Sequence, residues 1–392
     1  MAAPDLNAFA QRYGSIAVLA LSLLALYVVG IQGLFKAAPL GDDFRVFYKA
    51  GSLFAEGRDP WLTMMDTSQP FSYPPHAVSV LSAYTVFPEH IALGLHIIVS
   101  LLSIAVLCYC ANRWFLHIGD FRHITLPQSM ALGLIIGNPY TATSLYQGQM
   151  TLVVTAALSL SFLLLQEKKR VAAGILLAIA TLKPQLAIFY ILWLLLSLEL
   201  GVLLVGGVVA VLCIIPASII LGPLTPMTSW LASLHGYADV AINMPGSPYV
   251  AGFESLLAAH GLYAGALPFA ALGAIFVITA FLLCRWMEPF MALQLLLVTA
   301  CSFLFVHDYD YVAVILVWSC ALYLAFQQVN WGRIATFVVL AVPFFMPQRL
   351  IRDIELPAIV HARTLILVAI FAVFVLWRLD WEKRSAQVIR AA

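Results

Sequence analysis

The chain has 392 residues, 63% of them hydrophobic and 10% charged, with a formal net charge of +1. Soluble domains carry about a quarter charged residues, so this chain has too little charge to cover a water-exposed surface and reads as an integral membrane protein. The near-neutral balance, with no arginine-rich tail, excludes a broad nucleic-acid-binding face.

Apolar runs recur from end to end. The first, about 15–35, follows Arg12 and has about the ~20 residues that a membrane helix needs. No small-x-small cleavage site closes it, so it reads as an uncleaved signal anchor. Further spans are predicted near 90–111, 124–140, 150–165, 171–183, 185–198, 200–221, 263–284, 290–306, 311–326, 334–346 and 362–378, about twelve in all. Several fall short of ~17 residues, which suits tilted, broken or re-entrant segments. A shorter apolar helix, 76–87, precedes Pro88.

Lys and Arg gather at Arg12, in 112–123, 166–170, 284–289 and 327–333, and in the tail WRLDWEKRSAQVIR. Basic residues mark the cytoplasmic side. Both termini are therefore expected inside, and the long connectors 36–75 and 222–262 outside. No polar segment reaches the ~50 residues of a soluble domain, so 1–392 reads as a single transmembrane domain. The six cysteines lie in or beside apolar runs without a CxxC pair, as small buried hydrophobes do.

Four stretches could carry chemistry. In the first connector, Asp42 and Asp43 open an amphipathic segment whose Phe44, Phe47, Tyr48, Gly51 and Leu53 fall at roughly helical spacing. Such a helix can lie in the membrane interface, holding an acid where a lipid-linked headgroup would sit; equally, an aspartate there can merely cap the helix. FSYPPH, 71–76, can begin the next helix, since proline in a first turn costs no hydrogen bond. NPYTATSLYQGQM, 138–150, sets Tyr146, Gln147 and Gln149 at a membrane boundary, to bind sugar hydroxyls or to satisfy helix ends. Finally, Lys183 in ATLKPQ and His307, Asp308 and Asp310 in FLFVHDYDYV stand against apolar runs. Ionisable groups at such depth are costly and tend to be functional, although a lysine can snorkel and His307 can simply pair with its aspartates. His-x-x-Asp alone is a thin basis for a metal.

Together these stretches resemble glycosyltransferase family 87, once catalogued as domain of unknown function 2029. The resemblance rests on DFRVFYKAG, GRDPW, FSYPP, YQGQ and KKRVAAGILLAIATLKPQ, in that order, over residues 43–190. Further on, only His307 matches the family's late outer-face histidine. SFLFVHDYD stands where many relatives have Ser-Pro-x-x-Trp-x-His.

The resemblance implies an all-α polytopic enzyme of the GT-C fold, with an interfacial helix in the first outer loop. It implies an inverting transfer of a sugar, mannose first among them, from a polyprenyl-phosphate donor to a glycolipid or glycan acceptor. The site would face outward from a bacterial cytoplasmic membrane, among its lipids and without nucleic acid. Asp43 aligns with the general base, and Asp42 is the neighbouring alternative. Lys183 and His307 are candidates for the donor phosphate, and Tyr48, Gln149 and Tyr146 for orienting sugar or phosphate. No resident cofactor follows from the residues, and a divalent metal stays open. A transporter or lipid flippase is the rival reading, because polytopic chains with buried charges often transport.

Overall fold

A computed structural model describes residues 6–34, 36, 38–118, 125–262, 265–284, 287–327, 330–346 and 357–391. Helix dominates. α1 (Leu6–Gly30) comes first, followed by two short helices of the first connector, α2 (Asp42–Ala55) and α3 (Pro60–Met64), and by α4 (Pro75–Ser82) just after it. α5 (Glu89–Ile118), α6 (Leu126–Gly137), α7 (Pro139–Gln147), α8 (Thr151–Gln166), α9 (Arg170–Ala180), α10 (Pro184–Leu196) and α11 (Leu200–Leu221) build the central body. The second connector folds into α12 (Thr225–Asp239), a two-residue strand β1 (Val250–Ala251) and α13 (Phe253–Ala258). Then come α14 (Ala266–Leu283), α15 (Pro289–Phe303), β2 (Val306–His307), a 3₁₀ turn (Asp308–Val314), α16 (Ile315–Gln327), α17 (Trp331–Phe345) and α18 (Pro357–Ala391).

Among the described residues, each of the twelve apolar runs read from the sequence contains helix, but the helices differ in length. Among the described residues, six helical segments are long and apolar enough to cross a membrane, or up to seven if the bent pair α6–α8 is one span. α9, α10, α15 and α17 are apolar but shorter. The run near 124–140 breaks at Asn138: α6 ends there, and the Asn138 side chain accepts from the N–H groups of Tyr140 and Thr141 to start α7 with Pro139. A second break follows at Gly148, and the two halves of the pair bend by 117°. Non-helical backbone at membrane depth is tolerated only where protein buries it, and Asn138, Thr141 and Gln149 are indeed buried.

The layering follows burial. In the segment Asp308–Gln327, 89% of the apolar stretch is enclosed by protein, against 11% in Leu200–Leu221. The first is therefore the centre of the bundle, and the second, studded with exposed Leu, Ile and Val, meets lipid. α6 packs on α1 and α16, α9 lies against α8 and α11, and α2 rests on α4. β1 pairs antiparallel with β2, Val250 opposite His307, which ties the second connector to the chain entering α16.

Candidate functional site

α2 is amphipathic, as its spacing predicts. Phe44, Phe47, Ala50, Leu53 and Phe54 are buried on one face, each large side chain contributing about 1.5–3 kcal/mol. Gly51 lets the helix approach α4, since a Cβ there would meet the Ser82 Cα at 3.0 Å. The N-cap is Gly41 in the left-handed conformation, with no side-chain cap. Asp42 and Asp43 are thus not spent on capping. Asp42 accepts from the Gln69 amide at 3.2 Å, and Asp43 accepts from the Gln149 amide.

Gly148 makes the second contact possible. It closes α7 at φ 71°, and a Cβ there would lie 2.7 Å from that of Phe44. Only glycine lets this turn press against α2 and deliver Gln149 to Asp43. The Gln149 carbonyl oxygen accepts from the Tyr73 hydroxyl at 3.3 Å, which fixes the amide's orientation: oxygen to the phenol, nitrogen to the carboxylate. Tyr73 is held in turn by Trp61, whose indole donates to the Tyr73 carbonyl at 2.8 Å. The DPW triplet places that tryptophan, because Asp59 caps α3 through the Leu62 N–H and Pro60 fills its first turn. Burial pushes the Asp43 carboxyl up to about 6, with the Gln149 hydrogen bond opposing the rise.

The opposite wall is the stretch 305–310 with Lys183. Lys183 precedes Pro184 at the start of α10, and its ammonium donates at 2.6 Å both to Thr151 Oγ1 and to Asp310 Oδ1. Its Nζ also sits 4.7 Å from the Tyr309 ring centroid. The other Asp310 oxygen accepts the His307 N–H at 3.1 Å. Asp310 is fully buried and its Oδ1 also takes the Thr151 hydroxyl at 2.6 Å, so both carboxylate oxygens are engaged. The His307 ring bonds the Tyr237 hydroxyl of α12 through Nε2 at 2.7 Å and the Tyr249 carbonyl through Nδ1 at 3.3 Å. A carbonyl only accepts, so Nδ1 carries the proton and Nε2 receives that of Tyr237. Burial lowers the His307 pKa to about 4, which keeps the ring neutral at neutral pH.

Between these walls lies a cavity of about 690 Å³. Asp42, Asp43, Gln149, Lys183 and His307 all line it, and Trp230 and Tyr237 of α12 close one side. Trp230 reaches across to donate to the Ser72 carbonyl at 3.0 Å. Tyr48 and Tyr146 are not among the residues lining it: their hydroxyls donate to the carbonyls of Phe87 and Ala38, and both buttress the first connector. Among the described residues, no three His, Cys, Asp or Glu side chains gather as metal ligands would.

A model of glycosyltransferase family 87 matches residues 71–307, well over half of the chain. The chain belongs to glycosyltransferase family 87. It is thus a glycosyltransferase built on membrane helices, and it acts on a sugar donor and an acceptor. No curated protein and no solved structure matches it. The family match opens two residues before Tyr73, contains Gln149, Lys183 and Tyr237, and closes on His307. It therefore includes most of the residues lining the cavity, but not those of α2, the stretch 68–70, or Asp308 and Tyr309.

Several side chains of the candidate site carry no clear mark in the sequence. Tyr73 sits inside a stretch that reads as a helix start, and only its two-proline neighbourhood marks it. Thr151 carries no signal at all. Tyr237 and Trp230 belong to a connector conspicuous for aromatics and poor in charge, and that combination was the one available hint.

Proposed function

We propose that this family 87 enzyme moves a sugar, mannose first among the candidates, from a polyprenyl-phosphate donor to a hydroxyl of a glycolipid or glycan. In this reading the fold is of the GT-C type, the cavity opens on the outer face of a bacterial cytoplasmic membrane, and the anomeric centre inverts. The observation that carries it is a pair of facing walls: a carboxylate with an ordinary amide partner on one, a lysine and a histidine–tyrosine pair on the other.

The chemistry needs both. An alcohol is a poor nucleophile and needs a general base. Asp43, ionised above about pH 6, takes the hydroxyl proton while the acceptor oxygen attacks the anomeric carbon. The bond between that carbon and the phosphate oxygen breaks, its electron pair stays on the oxygen, and polyprenyl phosphate leaves. Charge grows on the phosphate during this step, so donors aimed there lower the barrier. Lys183 uses two of its three N–H groups within the protein and offers the remaining one with its charge. Tyr237 gives its proton to His307 Nε2 and can turn that proton toward a phosphate oxygen, with His307 positioning the hydroxyl. Gln149 stays neutral and holds Asp43 in place, and Asp42 is the alternative base.

Purified protein in lipid discs, given a short-chain polyprenyl-phosphate mannose and a range of glycolipid acceptors, tests this directly. Release of polyprenyl phosphate coupled to a new glycosidic bond is expected. Movement of intact donor across the bilayer with no bond cleaved would replace the reading with that of a flippase.

A further inference from the structure

The stretch 307–310 carries two aspartates with opposite surroundings. Asp310 is not among the residues lining the cavity, and both its oxygens are engaged, by Lys183, Thr151 and the His307 N–H. Asp308 lines the cavity, and among the described residues its carboxylate takes the Tyr309 N–H but no side-chain hydrogen bond. Its position is nonetheless fixed, because its N–H donates to the Tyr249 carbonyl at 3.1 Å, next to the pairing of β1 with β2. The cations that face it are Arg363 of α18 and Lys36, with Asp310 as the opposing charge. Lys36 is itself pinned, donating to Thr143 Oγ1 at 2.7 Å. Neither cation is among the residues lining the cavity. The result is a rigid, acceptor-only group, kept company by positive charge behind it and open in front.

An ionised carboxylate has two oxygens and about four lone-pair sites. It repels a phosphate and suits adjacent hydroxyls of a sugar ring, which can donate to both oxygens at once. His307 is its chain neighbour, and His307 stands at the phosphate end of the cavity. A sugar bonded to that phosphate puts its ring hydroxyls within one residue's reach. We propose that Asp308 is the residue that grips the hydroxyls of the donor sugar and sets which pyranose the enzyme accepts. This rests on the proposed polyprenyl-phosphate chemistry and adds a specificity residue to it.

The test uses full-length enzyme in lipid discs, with polyprenyl-phosphate mannose, its ring-deoxygenated analogues and sugar-free polyprenyl phosphate as probes. Asp308→Asn halves the acceptor capacity and removes the charge. It is expected to raise the donor KM about ten- to a hundred-fold, the range for a lost charge-assisted hydrogen bond. The acceptor KM and the affinity for sugar-free polyprenyl phosphate should stay at wild-type values, the latter also showing that the variant is folded. The deoxy analogue that wild type discriminates against should be discriminated against less by the variant. Asp308→Glu, which keeps the charge facing Lys36 and Arg363 but displaces the oxygens, should show the same loss of sugar discrimination. An unchanged donor KM in both variants overturns the proposal, as does an equal loss of affinity for the sugar-free lipid or a shift confined to the acceptor KM. Wild-type enzyme that turns over no such donor would overturn the underlying chemistry as well, so the two failures are told apart.

Discussion

Asp43 on one wall of the cavity and Asp310 behind the other differ in what they can still do. Asp310 is fully buried and receives an ammonium, a hydroxyl and a backbone N–H. Asp43, within electrostatic range of it, has one neutral amide and an open side toward the cavity. A carboxylate engaged by an ammonium, a hydroxyl and an N–H is held in place and has little left to offer a substrate. A carboxylate desolvated without a cation of its own is drawn toward protonation, and its pKa of about 6 falls close to the operating range of a general base. In the proposed mechanism the same side chain is an anchor behind one wall and a reagent on the other, and the neighbours decide which.

The largest expected effect breaks that comparison at Asp43. Asp43→Asn keeps the size and the Gln149 contact but removes the base, so transfer should fall about 10²–10⁴-fold while the thermal midpoint stays close to wild type. A matching loss of stability would make Asp43 a second anchor. On the other wall the order should reverse. Asp310→Asn leaves the buried Lys183 ammonium without its counter-charge, at a cost of about 3–5 kcal/mol, measured by unfolding in detergent. Adding Lys183→Met should recover most of that stability, because removing both charges is often neutral, yet transfer should stay low for want of the phosphate's cation. Recovery of both together would reduce Lys183 to scaffolding.

Gly148→Ala sharpens the comparison from the backbone. It forces a Cβ onto Phe44 at a left-handed position, strain of about 1–3 kcal/mol, and should depress kcat about tenfold or more through a displaced Gln149. The smallest effect is on pH dependence. Asp43 must be ionised to act, so kcat/KM should fall on the acid side with a midpoint near pH 6. The Gln149 hydrogen bond favours the ionised form, so in Gln149→Leu the midpoint should move to higher pH. A midpoint unmoved in this variant would separate the acid limb from Asp43.

Much of the scaffold was legible in the sequence, for a simple reason. A membrane helix is written locally, and runs of apolar residues, Pro at helix starts and the Phe44–Phe47–Leu53 stripe all declare themselves within a few residues. The break at Asn138 was also written there, since Asn-Pro marks a turn, although it reads at first as part of a continuous span. The site was legible only as a set of suspects. Asp43 and Gln149 lie 106 positions apart, and no pattern in either neighbourhood states that the two meet. For Lys183, snorkelling and phosphate binding were the visible choices, whereas the structure gives it a carboxylate from a distant turn and a hydroxyl from α8. Tyr48 and Tyr146 stood in suggestive places and put their hydroxyls on backbone carbonyls instead.

The ion pair of Lys183 with Asp310 also sets a clock on biogenesis. The two residues are 127 positions apart. At about 5–20 residues per second of synthesis, the ammonium emerges roughly 6–25 s before its carboxylate exists. Lys183 lies at the junction of α9 and α10, and an ionisable group is costly to bury in a membrane without a partner, so the nascent α9–α10 hairpin has to keep its charge near water. Only when the HDYDYV turn arrives can the hairpin settle. A ribosome stalled before residue 310 would leave a membrane segment with an unburied charge, a form that quality-control proteases are equipped to find.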